Sequence, residues 1–385
     1  MRFADNRNKI GKYIPAVVFL IFIYGMALWF IFSPKPDYSS SEKRYLQKFP
    51  EVTAEKLLSG DFGSEFETFF ADRFPQRNTW VGLNAYTALA EGNNGASGVY
   101  NCKNGYLINK PVSTENNLDK NIGAVADFAK SIDTPTTVML VPSTGYIVDD
   151  VLPTFHDKYN DDEDISKISS TLSKNKIGFV DLRERFKSEY KNGSQLYYKT
   201  DHHWTTKGAY TGYQELCKTL GITPIDDSTL KKDSYPDFYG TTYSSSGFWL
   251  TPPDNIEIWN NPKNSDRNIS VKITEGANIK TSGSMYFTDH LKEDDKYPVF
   301  TDGNHALTEI TNTNAKNGTI LLIKDSFSHS LAPFLAENYS KVVLVDLCYY
   351  KESVSDLVTT YNPEQVVVLY GIDNLATDTD IVWLK

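Results

Sequence analysis

In the run Thr200-Asp201-His202-His203-Trp204-Thr205-Thr206-Lys207-Gly208, a carboxylate and an imidazole stand two residues apart, just ahead of a helical pattern. In an extended chain Asp201 and His203 share one face and His202 points the other way. A carboxylate that orients a histidine is the base half of a serine-hydrolase triad, which then lacks only a positioned hydroxyl. Ser326 fits that need. It follows the apolar run Leu321-Leu322-Ile323 and the pair Lys324-Asp325, where a buried strand turns into a helix. A hydroxyl there lies at the rim of a sheet, beside helix N–H groups able to hold an oxyanion. The two segments together point to acyl transfer.

Plainer readings compete at each position. Ser326 alone is also an ordinary helix N-cap, and no G-x-S-x-G elbow supports a lipase-type hydrolase. His202 and His203 could ligate a metal, but adjacent histidines on a strand face opposite ways, and no H-E-x-x-H motif or third ligand stands nearby. The triad reading outranks the metal reading, so no metal and no cofactor is expected. His202 either contacts substrate or hydrogen-bonds locally; Trp204 is packing before it is a sugar platform. Asn374, in Gly371-Ile372-Asp373-Asn374, is either an oxyanion donor or part of a plain turn. Asp72-Arg73-Phe74-Pro75-Gln76-Arg77 could bind an anion, but reads better as a helix–helix corner.

The elements that must position these residues follow from pattern. Tyr13 to Phe32 is an uncharged stretch of bilayer-spanning length, preceded by Arg2, Arg7, Lys9 and Lys12 against Asp5 alone. A cleaved signal peptide fits less well, because the apolar run is long and lacks an A-x-A site. The expected layout is a cytoplasmic N-terminus over 1–12 and an uncleaved anchor over 13–32. Beyond it lie a linker with membrane-proximal helices over 33–94 and a main domain over 95–385, all outside the cytoplasm. Helices are expected over Ala54–Phe70, Trp80–Leu89, Asn121–Ser131, Ile165–Ser173, Thr206–Leu220 and Glu352–Tyr361, with another after Ser326. Strands are expected over Thr136–Val141, Ile177–Leu182, Ile320–Ile323, Lys341–Leu347 and Gln365–Tyr370. The closing β-α-β-α-β run implies parallel strands with ligands at their carboxyl ends. Residues 223–317 dissolve into short polar and tyrosine-rich pieces, expected to be an irregular insertion of loops and strands over the active face. The net charge of −10 carries no basic stripe, which excludes nucleic acid as a partner. Three scattered cysteines, Cys102, Cys217 and Cys348, make no disulfide framework.

With these residues in view the chain resembles a known family. Thr200-Asp201-His202-His203-Trp204 with Gly208-Ala209-Tyr210 resembles the signature of the DHHW proteins, which are similar to the SGNH-like domains of alginate O-acetyltransferases. Lys324-Asp325-Ser326-Phe327 with Pro333-Phe334-Leu335, and Asp346-Leu347-Cys348-Tyr349-Tyr350, fit the same family. So do Asp72-Arg73-Phe74-Pro75, Gly240-Thr241-Thr242-Tyr243 and Asp302-Gly303-Asn304. The resemblance implies an α/β, flavodoxin-like SGNH-hydrolase fold with permuted motif order, the Asp-His block preceding the serine. It implies Ser326 as nucleophile, His203 as general base and Asp201 as its orienting carboxylate. It also implies O-acetylation of an exported polysaccharide, with a multi-pass membrane acyltransferase handing over acetyl groups. Two departures stand out: Cys348 occupies a position where an arginine is expected, and the G-x-N-D block appears as Gly371-Ile372-Asp373-Asn374 with its polar pair reversed.

The function expected from sequence is therefore a membrane-anchored, extracytoplasmic O-acetyltransferase acting through Ser326, His203 and Asp201, with Asn374, His202 and Trp204 as further oxyanion or substrate contacts. A polysaccharide acetyl-esterase with the same triad is one alternative. A non-catalytic glycan-binding component of an export complex is the other.

Overall fold

A computed structural model describes residues 12–112 and 117–384. Arg2, Asp5, Arg7 and Lys9, on which the expected N-terminal orientation rests, lie outside the described residues. The chain divides into two compact units, one ending at Thr87 and the other beginning at Ala88.

The first unit begins with helix α1 (Ile14–Phe32), an uncharged helix with no buried residue. It is long and apolar enough to cross a membrane. Pro15 sits in its first turn, where a missing N–H costs nothing. The single helix expected over Ala54–Phe70 is two, α2 (Ala54–Ser59) and α3 (Asp61–Asp72). Gly60 separates them at φ +88°, a left-handed conformation that ends α2 and that glycine adopts without strain. Phe49, Phe62, Phe66 and Phe69 pack ring to ring on the inner side of α3. Asp72 and Arg73 form a structural corner. Arg44 clamps the Asp72 carboxylate with two nitrogens at 2.9 and 2.6 Å. Arg73, buried, donates to the carbonyls of Gln47 and Pro36 and to Asp37. These contacts leave Arg73 no donor fork open to an anion. Helix α4 (Arg77–Ala90) follows.

The second unit is built on one eight-stranded sheet. In chain order its strands are β1 (Thr136–Val141), β2 (Gly178–Asp181), β3 (Ile269–Glu275), β4 (Asn278–Ser282), β5 (Leu307–Asn312), β6 (Asn317–Lys324), β7 (Tyr339–Val345) and β8 (Gln365–Gly371). Across the sheet they run β4-β3-β5-β7-β6-β8-β1-β2. The five strands from β7 to β2 are parallel, and β5, β3 and β4 extend them as an antiparallel edge. Strand β6 is central and buried from Ile320 to Lys324, and alternate residues feed different cores. Ile320 and Leu322 join Trp204, Tyr213, Leu331 and Phe334 on one face; Leu321 and Ile323 join Val125, Phe128, Ile168 and Leu357 on the other. The first face is covered by α8 (Thr206–Leu220) and α9 (Ser328–Leu335), the second by α5 (Leu118–Ser131), α6 (Asp161–Lys174), α10 (Val354–Tyr361) and α11 (Ile372–Thr377). Between α6 and α8 lies α7 (Arg183–Lys191). The arrangement is the expected α/β sandwich.

Residues 223–317 hold both loops and strands, and several of the strands join the main sheet. Part of the stretch forms a ribbon of Lys231–Phe238 paired with Asp254–Asn260, and its Phe238 and Ile256 share a small core with Tyr198, Tyr297 and Phe300. The remainder supplies β3, β4 and β5. In β3, Ile269, Val271 and Ile273 are buried while Ser270 faces solvent, the alternation of an antiparallel edge with one wet face. Short half-polar strands of this kind carry a weak sequence signal beside the apolar runs of β6 or β8.

The site-bearing face depends on close packing of α8. A side chain on Gly212 would press on Met139 and on the Trp204 ring at 2.9 Å. Gly212→Val should therefore cost about 1–3 kcal/mol of stability through overpacking. Urea unfolding measures it, and an unchanged midpoint would show that α8 is not pinned there.

Candidate active site

Four loops converge at the carboxyl ends of the parallel strands, after β1, β6, β7 and β8, where open α/β sheets place their ligands. Ser326 lies on the loop between β6 and α9. Its neighbour Asp325 ties that loop to the end of β8: Oδ1 accepts from Phe327 N (3.0 Å), and Oδ2 accepts from Gly371 N and Asn374 Nδ2 (2.7 Å each). Burial pushes the Asp325 carboxyl up to about 6, with the three donors pulling the other way. Beneath the loop, Lys324 Nζ is buried against Asp346 Oδ2 at 2.6 Å. Burial lowers this lysine, and Asp346 opposes the shift.

The Asp201–His203 block comes from outside the sheet. Asp254 holds its approach, accepting from Lys199 N, Thr200 N and Thr200 Oγ1. Thr205 then caps α8 through Gly208 N (3.1 Å). The expected extended run is instead a series of bends. Asp201 and His203 meet because the chain folds back, with His203 N donating to Asp201 Oδ1 at 2.9 Å, an Asx-type turn. His202 therefore does not point away; its ring packs on His203 with centroids 3.9 Å apart.

The resulting geometry is a continuous hydrogen-bonded relay. His203 Nδ1 meets Asp201 Oδ1 at 2.5 Å, and His203 Nε2 meets Ser326 Oγ at 2.7 Å. Asp201 Oδ2 accepts from Thr241 N (2.7 Å) and Thr241 Oγ1 (3.1 Å). Burial alone would raise Asp201. The two imidazoles and these hydrogen bonds outweigh it and hold the carboxyl well below the usual range. An ionised Asp201 only accepts, so His203 Nδ1 carries the hydrogen and Nε2 is left to accept from the serine hydroxyl. That arrangement can activate a hydroxyl for attack on an acyl carbon.

Several positioning groups gave no sequence signal as site members. Tyr297 stacks on the His203 ring at 4.0 Å and donates its hydroxyl to Ser326 O at 3.2 Å. Gly240 lies flush against Asp201, where a Cβ would land on the carboxylate. The Gly240-Thr241 pair was visible as a motif, but nothing in its spacing ties it to Asp201. At the exit of β1, Ser143 N donates to Asp161 Oδ1 (2.7 Å) and Ser143 Oγ to Asp373 Oδ1 (3.1 Å).

The remaining sequence candidates separate. Trp204 is fully buried and donates its indole N–H to Phe327 O (3.0 Å) and Ser330 Oγ (2.9 Å). It joins the two blocks from inside and does not reach a substrate, which corrects its place among the contact residues. His202 keeps an open edge beside the site, bonds Thr241 Oγ1 at 2.7 Å, and is driven down to about 4 by burial and by His203. Asn374 borders both cavities that flank the loop, with one amide hydrogen committed to Asp325. Cys348 is exposed on the wall of the cavity that contains Ser326. Asp201, His202 and His203 bring ligand atoms within 4.8 Å of one another, as a metal site would. Here those atoms are engaged with each other, with Thr241 and with Ser326, so an ion would have to break the relay.

A family model, DHHW protein, matches residues 112–345, more than half of the chain. No match emerges among curated proteins. Similar solved structures include a DHHW family protein from Eubacterium siraeum (TM-score 0.63, 17% identity, covering 75% of this chain and 97% of that one). PatB1 of Bacillus cereus, solved with a sulfonyl adduct, matches at TM-score 0.60 and 20% identity, over 74% of this chain and 97% of its own. The O-acetyltransferase domain of Pseudomonas putida AlgJ matches at TM-score 0.48 and 14% identity, over 75% of this chain and 95% of its own. The α/β fold with one large central sheet expected from the sequence is the fold observed, and it is similar to that of the DHHW family protein and of PatB1.

The buried carboxyls beside the site set a pH dependence. Burial pushes Asp161 up to about 7 and Asp373 to about 6. Between the unfolded value of about 4 and these raised values the native state binds more protons. Its stability therefore falls as pH rises through that window. Asp161→Asn keeps an acceptor for Ser143 N and removes the titration. Its melting temperature should fall less than that of the wild type between about pH 5 and about pH 8. Parallel slopes would exclude Asp161 as a contributor.

Proposed function

The chain belongs to the DHHW family, and from its site geometry we propose that it is a membrane-anchored O-acetyltransferase modifying hydroxyls of an exported or cell-surface polysaccharide. The observation that carries the reading is the unbroken relay from Asp201 through His203 to Ser326 at the carboxyl edge of the sheet. A chain that only bound glycan would have no need of a buried ionised carboxylate aimed through an imidazole at a hydroxyl.

In this mechanism Ser326 Oγ attacks the carbonyl carbon of an acetyl ester while its proton passes to His203 Nε2. The oxyanion meets the Ser326 N–H and the second amide hydrogen of Asn374. The bond from carbonyl carbon to the donor's oxygen breaks, and His203 returns the proton to that leaving group. A sugar hydroxyl then gives its proton to His203 and attacks the acetyl-serine, and Ser326 leaves with the proton restored. Asp201 stays ionised throughout and stabilises the imidazolium in both halves. The donor would be a multi-pass membrane acyltransferase that brings acetyl groups across the bilayer. Helix α1 would hold this chain beside it, with the second unit on the extracytoplasmic side. The family resemblance of the Asp-His and serine blocks supports the assignment. The sulfonyl adduct of PatB1 suggests a probe, because sulfonyl reagents capture activated nucleophiles.

Incubation with an activated acetyl ester or a sulfonyl fluoride should add one group to Ser326, read by intact-mass analysis. Ser326→Ala should abolish the adduct, and His203→Ala should slow it by at least about 10³-fold. An adduct of equal yield in either variant would sink the mechanism, and acetate release without transfer to any glycan would identify an esterase. Asn374→Ala should lower the acylation rate by about 10²–10³-fold with the fold intact, as loss of one oxyanion donor does; an unchanged rate would remove Asn374 from the oxyanion hole.

A further inference from the structure

We propose that the acceptor is a polysaccharide carrying free, protonated amino groups, selected by the negative field of the cavity that contains Ser326. The inference rests on the acetyl-transfer reading and names the substrate class of that same site.

The cavity has a volume of about 320 Å³, within the range of small-molecule sites. Four carboxylates line it, on Asp325, Asp346, Asp378 and Asp380, against one cation, Lys324. That lysine is spent, being buried and ion-paired to Asp346 at 2.6 Å. Asp380 pairs at 2.6 Å with Lys351, which is not part of the cavity lining. Asp378 accepts from the N–H groups of Asp380 and Ile381, and among the described residues no cation pairs with it. The second cavity flanking the serine loop has Asp201 and Asp373 in its wall and neither lysine nor arginine. No cationic side chain is therefore presented to a sugar carboxylate, sulfate or phosphate on either side of Ser326.

The field is felt by other groups in the wall. Burial and then Asp346, Asp378 and Asp380 push the Cys348 thiol up to about 11. Asp378 is itself raised, by burial first, with Asp380 and Asp346 adding to it. A polyanion entering here meets like charge in a partly desolvated groove and finds no partner, while an ammonium group is drawn in. An acidic lining around a reacting hydroxyl thus favours a glycan of hexosamine type over a polyuronate.

The test uses the full-length Ser326→Ala chain in detergent, so that binding is read without turnover. Short oligomers of glucosamine, N-acetylglucosamine and uronic acid are titrated by calorimetry at about pH 6, where a sugar amine is protonated. The glucosamine oligomer should bind about tenfold more tightly than its N-acetylated form, and the advantage should shrink as salt rises from about 0.05 M to about 0.5 M. The uronate oligomer should not bind. In the same background Asp380→Asn should weaken glucosamine binding about threefold, and Cys348→Lys should erase the preference. Uronate binding of equal strength, equal binding of the amino and N-acetyl oligomers, or no binding of any oligomer would each overturn the proposal. The adduct assay on the wild-type chain separates the two readings. An adduct with a uronate preference retains the acetyltransferase and discards the amino-sugar acceptor. Amino-sugar binding with no adduct does the reverse.

Discussion

The buried, ionised carboxylate of Asp201 is the constraint around which the site is built. An ion at 2% exposure is costly unless its oxygens are satisfied, and here two hydrogen bonds come from His203 and two from Thr241. Satisfying it dictates much of the local chain. Gly240 must lack a side chain to let the Thr241 N–H approach, and residues 200–203 must bend back so that His203 offers both its backbone and its ring. Because Asp201 stays ionised, the hydrogen on the imidazole is held at Nδ1, and Nε2 faces Ser326.

The relay also joins parts that arrive separately. Ser326 is delivered by the central strand β6, whose second half, Ile320 to Lys324, is buried between two cores. His203 is delivered by a loop anchored to Asp254 and to the start of α8. Trp204, Tyr297 and Phe327 close the gap: the indole N–H reaches across to the serine loop, and Tyr297 covers the imidazole while bonding Ser326 O. Asp325 performs the same service toward β8. The relay's two hydrogen bonds therefore depend on packing among three loops that hold each other in place.

Sequence showed the ends of this arrangement better than its middle. Apolar runs such as those of β6 and β8 announce buried parallel strands, and a serine after one of them announces the rim of a sheet. The Asp201–His203 spacing is legible, but not the local conformation: an extended run would explain a shared face, and the turn that forms brings the groups closer still. The half-polar strands β3 to β5 lie in a stretch that reads as mixed loops and strands, and their membership of the main sheet is not legible, since an edge strand with one wet face carries only three or four apolar residues. Thr241, Tyr297 and Asp161 were not legible as site residues, because each reaches the site through tertiary packing that no spacing encodes. Trp204 is a packing residue whose two hydrogen bonds join the Asp-His block to the serine loop.

The acidity of the groove has consequences for the chemistry as well as for the acceptor. Proton transfer through His203 makes its ring transiently cationic in each half of the proposed reaction, and Asp201 touches that ring while Asp325 lies on the adjoining loop. Negative charge fixed nearby lowers the energy of that imidazolium without any reorganisation at the moment of reaction. It opposes the oxyanion, so the proposed donors, the N–H groups of Ser326 and Asn374, would matter more here than in a neutral groove. Asp325 is drawn into both roles, because the carboxylate on the serine loop also accepts from the Asn374 amide, the proposed oxyanion donor. A site of this design trades tolerance of anionic substrates for a well-supported base. Among the described residues the one cation in that wall, Lys324, is spent on Asp346, and in the proposed reaction this links the choice of acceptor to the mechanism of transfer.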